Sequence, residues 1–164
     1  MIAALALAAS SAFADTAPLA VSVRTGSSAY VSNERMIGGT GASLGVAAES
    51  SRAYLRGDVG LLVGLGSVLE VCVGAGVTRG KRWAPAAGPV ACMLTGTQTS
   101  FLTDDHPLPI RTPATTVGLS VEPLRFDYGK ASISALAIDA GIGTDWWGSG
   151  WRLSLGFFRL SVEP

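Results

Sequence analysis

Residues 53–77 place an apolar or small side chain at every second position, through Ala53, Leu55, Val59, Leu61, Val63, Leu69, Val71, Val73 and Val77. The alternate set carries Arg52, Tyr54, Arg56, Asp58, Glu70, Cys72 and several glycines, and only Leu62 and Val68 depart from it. A repeat of two cannot be helical, because a helix would spread both sets around its circumference. The stretch reads as two strands joined at 64–67, with one greasy face and one face of charges and glycines. Alternation sustained over this length describes a wall with an apolar medium on one side and a polar interior on the other.

The rest of the chain repeats the signal less cleanly. Extended segments are expected at 18–25, 41–49, 52–65, 68–78, 89–100, 115–128, 130–143 and 151–162. The register of the sixth slips at Glu122-Pro123, where proline implies a bulge or kink. The seventh is apolar on both faces. The eighth alternates from Trp151 to Phe157 and then flips at Phe157-Phe158. No convincing amphipathic helix interrupts them. About eight strands closing on one another would pair every backbone N–H and C=O, so the expected fold is all-β, an antiparallel up-and-down β-barrel. Long connections are expected at 26–40, 79–88 and 101–114 and an intermediate one at 144–150, with short turns at 50–51, 66–67 and 129.

Two features bear on compartment. Residues 1–14 (MIAALALAASSAFA) form a short apolar run ending on Ala12-Phe13-Ala14, the pattern of a cleaved secretory signal peptide, and leave 15–164 as one barrel domain. A buried N-terminal helix is the competing reading, and it would want a polar face that the run lacks. No later apolar stretch approaches the ~18–20 residues of a membrane helix, so any crossing of a bilayer is by strands. Cys72 and Cys92 sit on neighbouring strands with the connection midway between them, so a hairpin sets them opposite. In an exported chain that pair is expected to form a structural disulfide. A redox or metal pair would want CxxC spacing or histidine neighbours.

Twelve basic and twelve acidic residues leave no net charge, which excludes a nucleic-acid footprint and a polybasic tail. Twenty-one glycines with only 15% charged residues point to close packing inside a narrow barrel. Arg56, Asp58, Glu70 and, by continued alternation, Glu122 fall on the inner face. Buried charges must pair, so a salt-bridged, plugged lumen is expected over a selective pore. Trp146, Trp147 and Trp151 cluster at the last turn, where indole rings suit a lipid–water interface.

Candidate chemistry is sparse. His106, the single histidine, follows Asp104 and Asp105 in a polar stretch without a nucleophile motif. The glycines at 38, 39 and 41 lack the lysine of a phosphate loop, and the adjacent aspartates lack calcium-loop spacing. No catalytic, cofactor or metal site is expected.

On the leader, the alternating RAYLRGDVGLLVGLGSVLEVCVGAGVT and the closing WRLSLGFFRLSV, the chain resembles the small eight-stranded outer-membrane β-barrels of Gram-negative bacteria. The family usually ends its last strand on an aromatic residue, where this chain reads Val162-Glu163-Pro164. The resemblance implies an outer-membrane location, the lipid bilayer as partner, and a structural or surface-interaction role. Two readings compete with it. One is a soluble periplasmic or secreted carrier of an apolar ligand, lipocalin-like. The other is a lipid-modifying outer-membrane enzyme with His106 as base.

Overall fold

A computed structural model describes residues 18–33, 35–50, 52–64, 67–96, 113–146 and 148–164. The leader at 1–14, Trp147 and the Asp104-Asp105-His106 stretch lie outside these residues.

Ten strands form one antiparallel sheet: β1 (Leu19–Ser32), β2 (Met36–Glu49), β3 (Ala53–Gly64), β4 (Ser67–Thr78), β5 (Ala86–Gly96), β6 (Ala114–Glu122), β7 (Arg125–Asp127), β8 (Ala131–Ser134), β9 (Ala137–Asp145) and β10 (Gly148–Val162). Strands β1 to β6 pair in chain order, β6 then pairs β9, β7 pairs β8, and β10 pairs both β8 and β9. β1 pairs β10 from Val21↔Val162 to Ser32↔Gly150, which closes the sheet. β6 with β7, and β8 with β9, are each one barrel strand broken once, so the barrel has eight staves. Closure leaves no sheet edge to protect.

The breaks fall where the sequence alternation changes phase. Pro123 and Leu124 form a turn between β6 and β7, and both Glu122 and Arg125 point inward across it. Between β8 and β9, residues 135 and 136 change the phase again, so Ser134 and Ala137 both face in. That phase change is why 130–143 reads as apolar on both faces. On β10 the pairing with β1 skips Phe157, since Thr25 opposes Phe158 and Gly26 opposes Gly156. Phe157 and Phe158 therefore both point outward in a β-bulge, which adds local twist where the barrel closes.

Two connections depart from expectation. The one at 144–150 is shorter than expected, since β9 runs to Asp145 and β10 starts at Gly148 with those two residues paired. The stretch 26–40 is not a long loop, because β1 runs on to Ser32 and β2 starts at Met36. Its glycines and serines read locally as loop, yet they pair in register from Gly26↔Gly41 to Ser28↔Gly39. Beyond them Tyr30 opposes Ile37, and both are buried. Packing at the tip thus overrides weak local propensity. Pro89 leaves a local mark inside β5. The β4–β5 ladder holds one register but lacks pairs opposite Gly88 and Pro89, where proline supplies no N–H.

Inside and outside are inverted relative to a water-soluble domain. Leu55, Val59, Leu61 and Val63 of β3, and Leu69, Val73 and Val77 of β4, are exposed. So are Val21 and Val23 of β1, Leu44 and Val46 of β2, and Val117 and Leu119 of β6. Among the described residues, no charged side chain occupies an outward position on any strand. No second sheet or helix among the described residues covers this wall.

Candidate functional site: a charged lumen inside an apolar wall

The inward positions hold the charges that the wall lacks. Arg24, Arg35, Arg56, Arg125, Arg152 and Arg159 are matched by Glu49, Asp58, Glu70, Glu122, Asp139 and Asp145, six against six. At the centre, Arg56 donates to Glu122 and, at 2.7 Å, to Ser120 Oγ. Arg159 bridges the same group, donating to Asp58 at 2.9 Å and to Glu122 at 3.3 Å. Arg24 donates to Asp139 at 2.9 Å and to Ser154 at 3.0 Å. Nearer the other end, Arg152 donates through Nε and Nη2 to Glu70 at 3.0 and 2.7 Å, and Ser28 adds a bond of 2.7 Å.

The two mouths carry a pair each. Arg35 donates to Asp145 at 2.7 Å at the end where β1 gives way to β2. Arg125 donates to Glu49 at 2.5 Å at the end where β1 begins and β10 ends. Burying a lone guanidinium or carboxylate would cost several kcal/mol, so reciprocal pairing is the condition under which this lumen can exist at all. Serines complete it: Ser22, Ser28, Ser120 and Ser154 are buried and supply hydroxyls to the charged groups.

Glycines make the space. A Cβ built on Gly45 would lie 2.3 Å from Asp58 Oδ1, on Gly76 2.6 Å from the Tyr54 hydroxyl, and on Gly156 2.7 Å from Arg24 Nε. Each of these three inward side chains thus lies over a glycine on a neighbouring strand. Other glycines, such as Gly41, Gly88 and Gly118, lie where an added Cβ would meet the neighbouring strand's backbone.

All four sequence-predicted lumen residues face inward, in two separate groups. Arg56, Asp58 and Glu122 share one cluster, while Glu70 belongs to the Arg152 cluster. Cys72 and Cys92 oppose each other in register and are joined in a disulfide that faces the lumen. Glu70 with the two sulfurs forms a group of metal-ligand type, but the disulfide and the Arg152 pair engage those atoms. Leu62 and Val68, the two departures from the alternation, face inward and oppose each other. With Tyr30, Ile37, Leu94 and Ala114 they form a small apolar core across one end of the lumen.

Sequence reasoning named four lumen charges and missed the other eight. Arg24 between Val23 and Thr25, Asp139 between Ile138 and Ala140, and Arg152 between Trp151 and Leu153 all obey the same alternation. Extending it strand by strand would have found them. Arg159 needed the phase change at Phe157-Phe158 to be carried through.

A hollow of about 20 Å³ beside Arg24, Ser28, Glu70 and Ser154 has room for about one water molecule. A carrier cavity for a small apolar ligand needs ~300 Å³ or more with apolar walls. The charged groups fill the space that a lipocalin-like site would require.

Aromatic residues stand at both ends of the wall. Trp146 and Trp151 are exposed near the β9–β10 turn. Trp83 and Tyr128 are exposed at the opposite end, with the Trp83 indole N–H donating to Pro123 O at 2.8 Å. The second pair was not anticipated, because each residue is a lone aromatic in a turn-rich stretch.

Fold and lumen together define a closed eight-stave barrel with a polar, ion-paired interior and an apolar exterior. No family model matches the sequence, and no curated protein matches it. Among solved structures, the crystal structure of the N-terminal β-barrel domain of Pseudomonas aeruginosa OprF is similar, with 10% identity and a TM-score of 0.49. The match covers 87% of this chain and 96% of that one. The fold assignment rests on the strand pairings, independently of that likeness.

Proposed function

We propose that this protein is a barrel of the Gram-negative outer membrane with a structural or surface-interaction role, its lumen plugged by side chains. The observation that carries the reading is the charge-free outer wall. In water, rows of exposed leucine and valine on every face would drive association, whereas hydrocarbon chains are a good solvent for them. Strands of nine to fifteen residues, such as β6 and β10, match the ~9–11 tilted residues that cross a bilayer core. Exposed tryptophans at opposite ends fit the two headgroup levels.

Under this reading the bilayer is the partner, and no nucleic acid, cofactor or metal is involved. The leader at 1–14 is the export signal. The role is non-enzymatic; a lipid-modifying reaction based on His106 is the alternative.

The test is fractionation with heat-modifiability. The chain is expected in the outer-membrane fraction, to require detergent micelles once extracted, and to migrate differently on gels before and after boiling. A monomer that stays in solution after washing would overturn the membrane assignment. Loss of a lipid-modifying activity in His106→Ala alone would overturn the non-enzymatic one.

A further inference from the structure

Charge outside the lumen is unevenly placed. The β2–β3 and β4–β5 connections meet at the end of the barrel where β1 begins and β10 ends, and they carry Arg52, Arg79, Lys81 and Arg82, all exposed. None of the four takes part in an ion pair among the described residues. Asp127 adjoins them through its backbone N–H, which donates to Arg82 O, while its carboxylate accepts from Gly129 N–H. Glu49 is held by Arg125, and Asp127 and Glu163 line a hollow with Lys130.

The cationic rim is fixed to the barrel. Thr78 N–H donates to Arg52 O at 3.0 Å, Arg79 N–H to Pro85 O at 3.2 Å, and Asp127 N–H to Arg82 O at 2.8 Å. Between the two arginines lies an open hollow of about 490 Å³, lined by Arg52, Val77, Thr78, Arg79 and Gly80. Val77, 64% exposed, continues directly into the apolar wall, and Trp83 flanks the same end at 60% exposure.

We infer that this rim binds the phosphate of an anionic phospholipid, in the leaflet at the end where β1 begins and β10 ends. The inference rests on the membrane reading and adds a ligand to it. Two guanidinium groups offer forked donors to phosphate oxygens, while Val77 below them receives the start of an acyl chain. A free anion would use the arginines and leave the apolar floor idle. The lipid uses both, and unpaired cations at a membrane surface favour anionic headgroups.

The full chain folded in bilayer discs of phosphatidylcholine and phosphatidylglycerol provides the test, read by native mass spectrometry of the lipids retained on release. The wild type is expected to retain phosphatidylglycerol preferentially, and each arginine replaced in Arg52→Gln/Arg79→Gln is expected to lower that preference about fivefold. Arg52→Lys/Arg79→Lys should keep most of it. Heat-modifiability of each variant reports that the barrel has formed. Unchanged preference in the folded Gln variant would overturn the inference. Competition by millimolar inorganic phosphate would overturn the lipid in favour of a free-anion site. A wild type that never enters the discs would sink the membrane reading itself, and the inference with it.

Discussion

At the scale of single residues, the lumen and the wall make opposite demands on charge. Arg56 is shared among Glu122, Asp58 and Ser120, so replacing it leaves carboxylates buried with only Arg159 to hold them. Arg56→Met is expected to lower stability by about 3 kcal/mol or more, because a broken buried pair costs more than the intact pair contributes. Denaturant unfolding in micelles measures it, and an unchanged midpoint would mean that water reaches the cluster. Val59, 53% exposed on the opposite face of the same strand, tests the surrounding medium. In hydrocarbon, Val59→Lys should cost ~2–4 kcal/mol in the same assay carried out in lipid vesicles. A neutral result would mean that this face meets water, where a lysine is tolerated.

At the scale of elements, the β4–β5 hairpin is the best-determined unit. Cys72 and Cys92 are 20 residues apart in sequence and directly opposed in the ladder. Their bond removes loop entropy from the unfolded chain, a contribution of ~3 kcal/mol on the chain-entropy argument. Cys72→Ser/Cys92→Ser should lose about that amount, with the barrel still formed. Both cysteines are buried, and reagent reaches them only past the ion pairs. The folded protein should therefore resist millimolar dithiothreitol and become reducible once denaturant is added, as thiol alkylation after each treatment would report. Rapid reduction of the folded form would mean an open lumen. The breaks at 123–124, at 135–136 and at Phe157 belong to this scale as well. Each shifts the phase of a strand, and after each shift the charges return to the inside.

At the scale of the whole molecule, closure by β1 with β10 turns a sheet with two faces into a vessel with an inside and an outside. The inside is full, with charges along most of its length and an apolar core near one end. No steady conductance is expected across a planar bilayer containing the protein. Stepwise openings at neutral pH would show that the ion pairs part readily and that the plugged lumen is wrong. The two ends also differ. β5 ends and β6 begins at one end of the barrel, seventeen residues apart in the chain, and among the described residues the unpaired basic side chains gather at the other. Under the membrane reading proposed above, the longer connections would face outward and the basic rim would lie on the inner leaflet.

The sequence by itself determined which side of most strands is apolar, though not for 130–143, how many staves there are, where two strands change phase and which cysteines meet. All of these are written in neighbouring residues: alternation is a property of i and i+2, and a hairpin partner lies a short turn away. Local reading failed at 26–40, where glycine and serine hid two paired strands. Only the tertiary structure decided which charge meets which. Arg24 finds Asp139 across 115 residues, and Arg159 finds Asp58 across 101. Those partners are chosen by the closing register of the barrel and by the glycine spaces on its inner wall. No local pattern encodes a distance across a lumen, because that distance exists only once the last strand has joined the first.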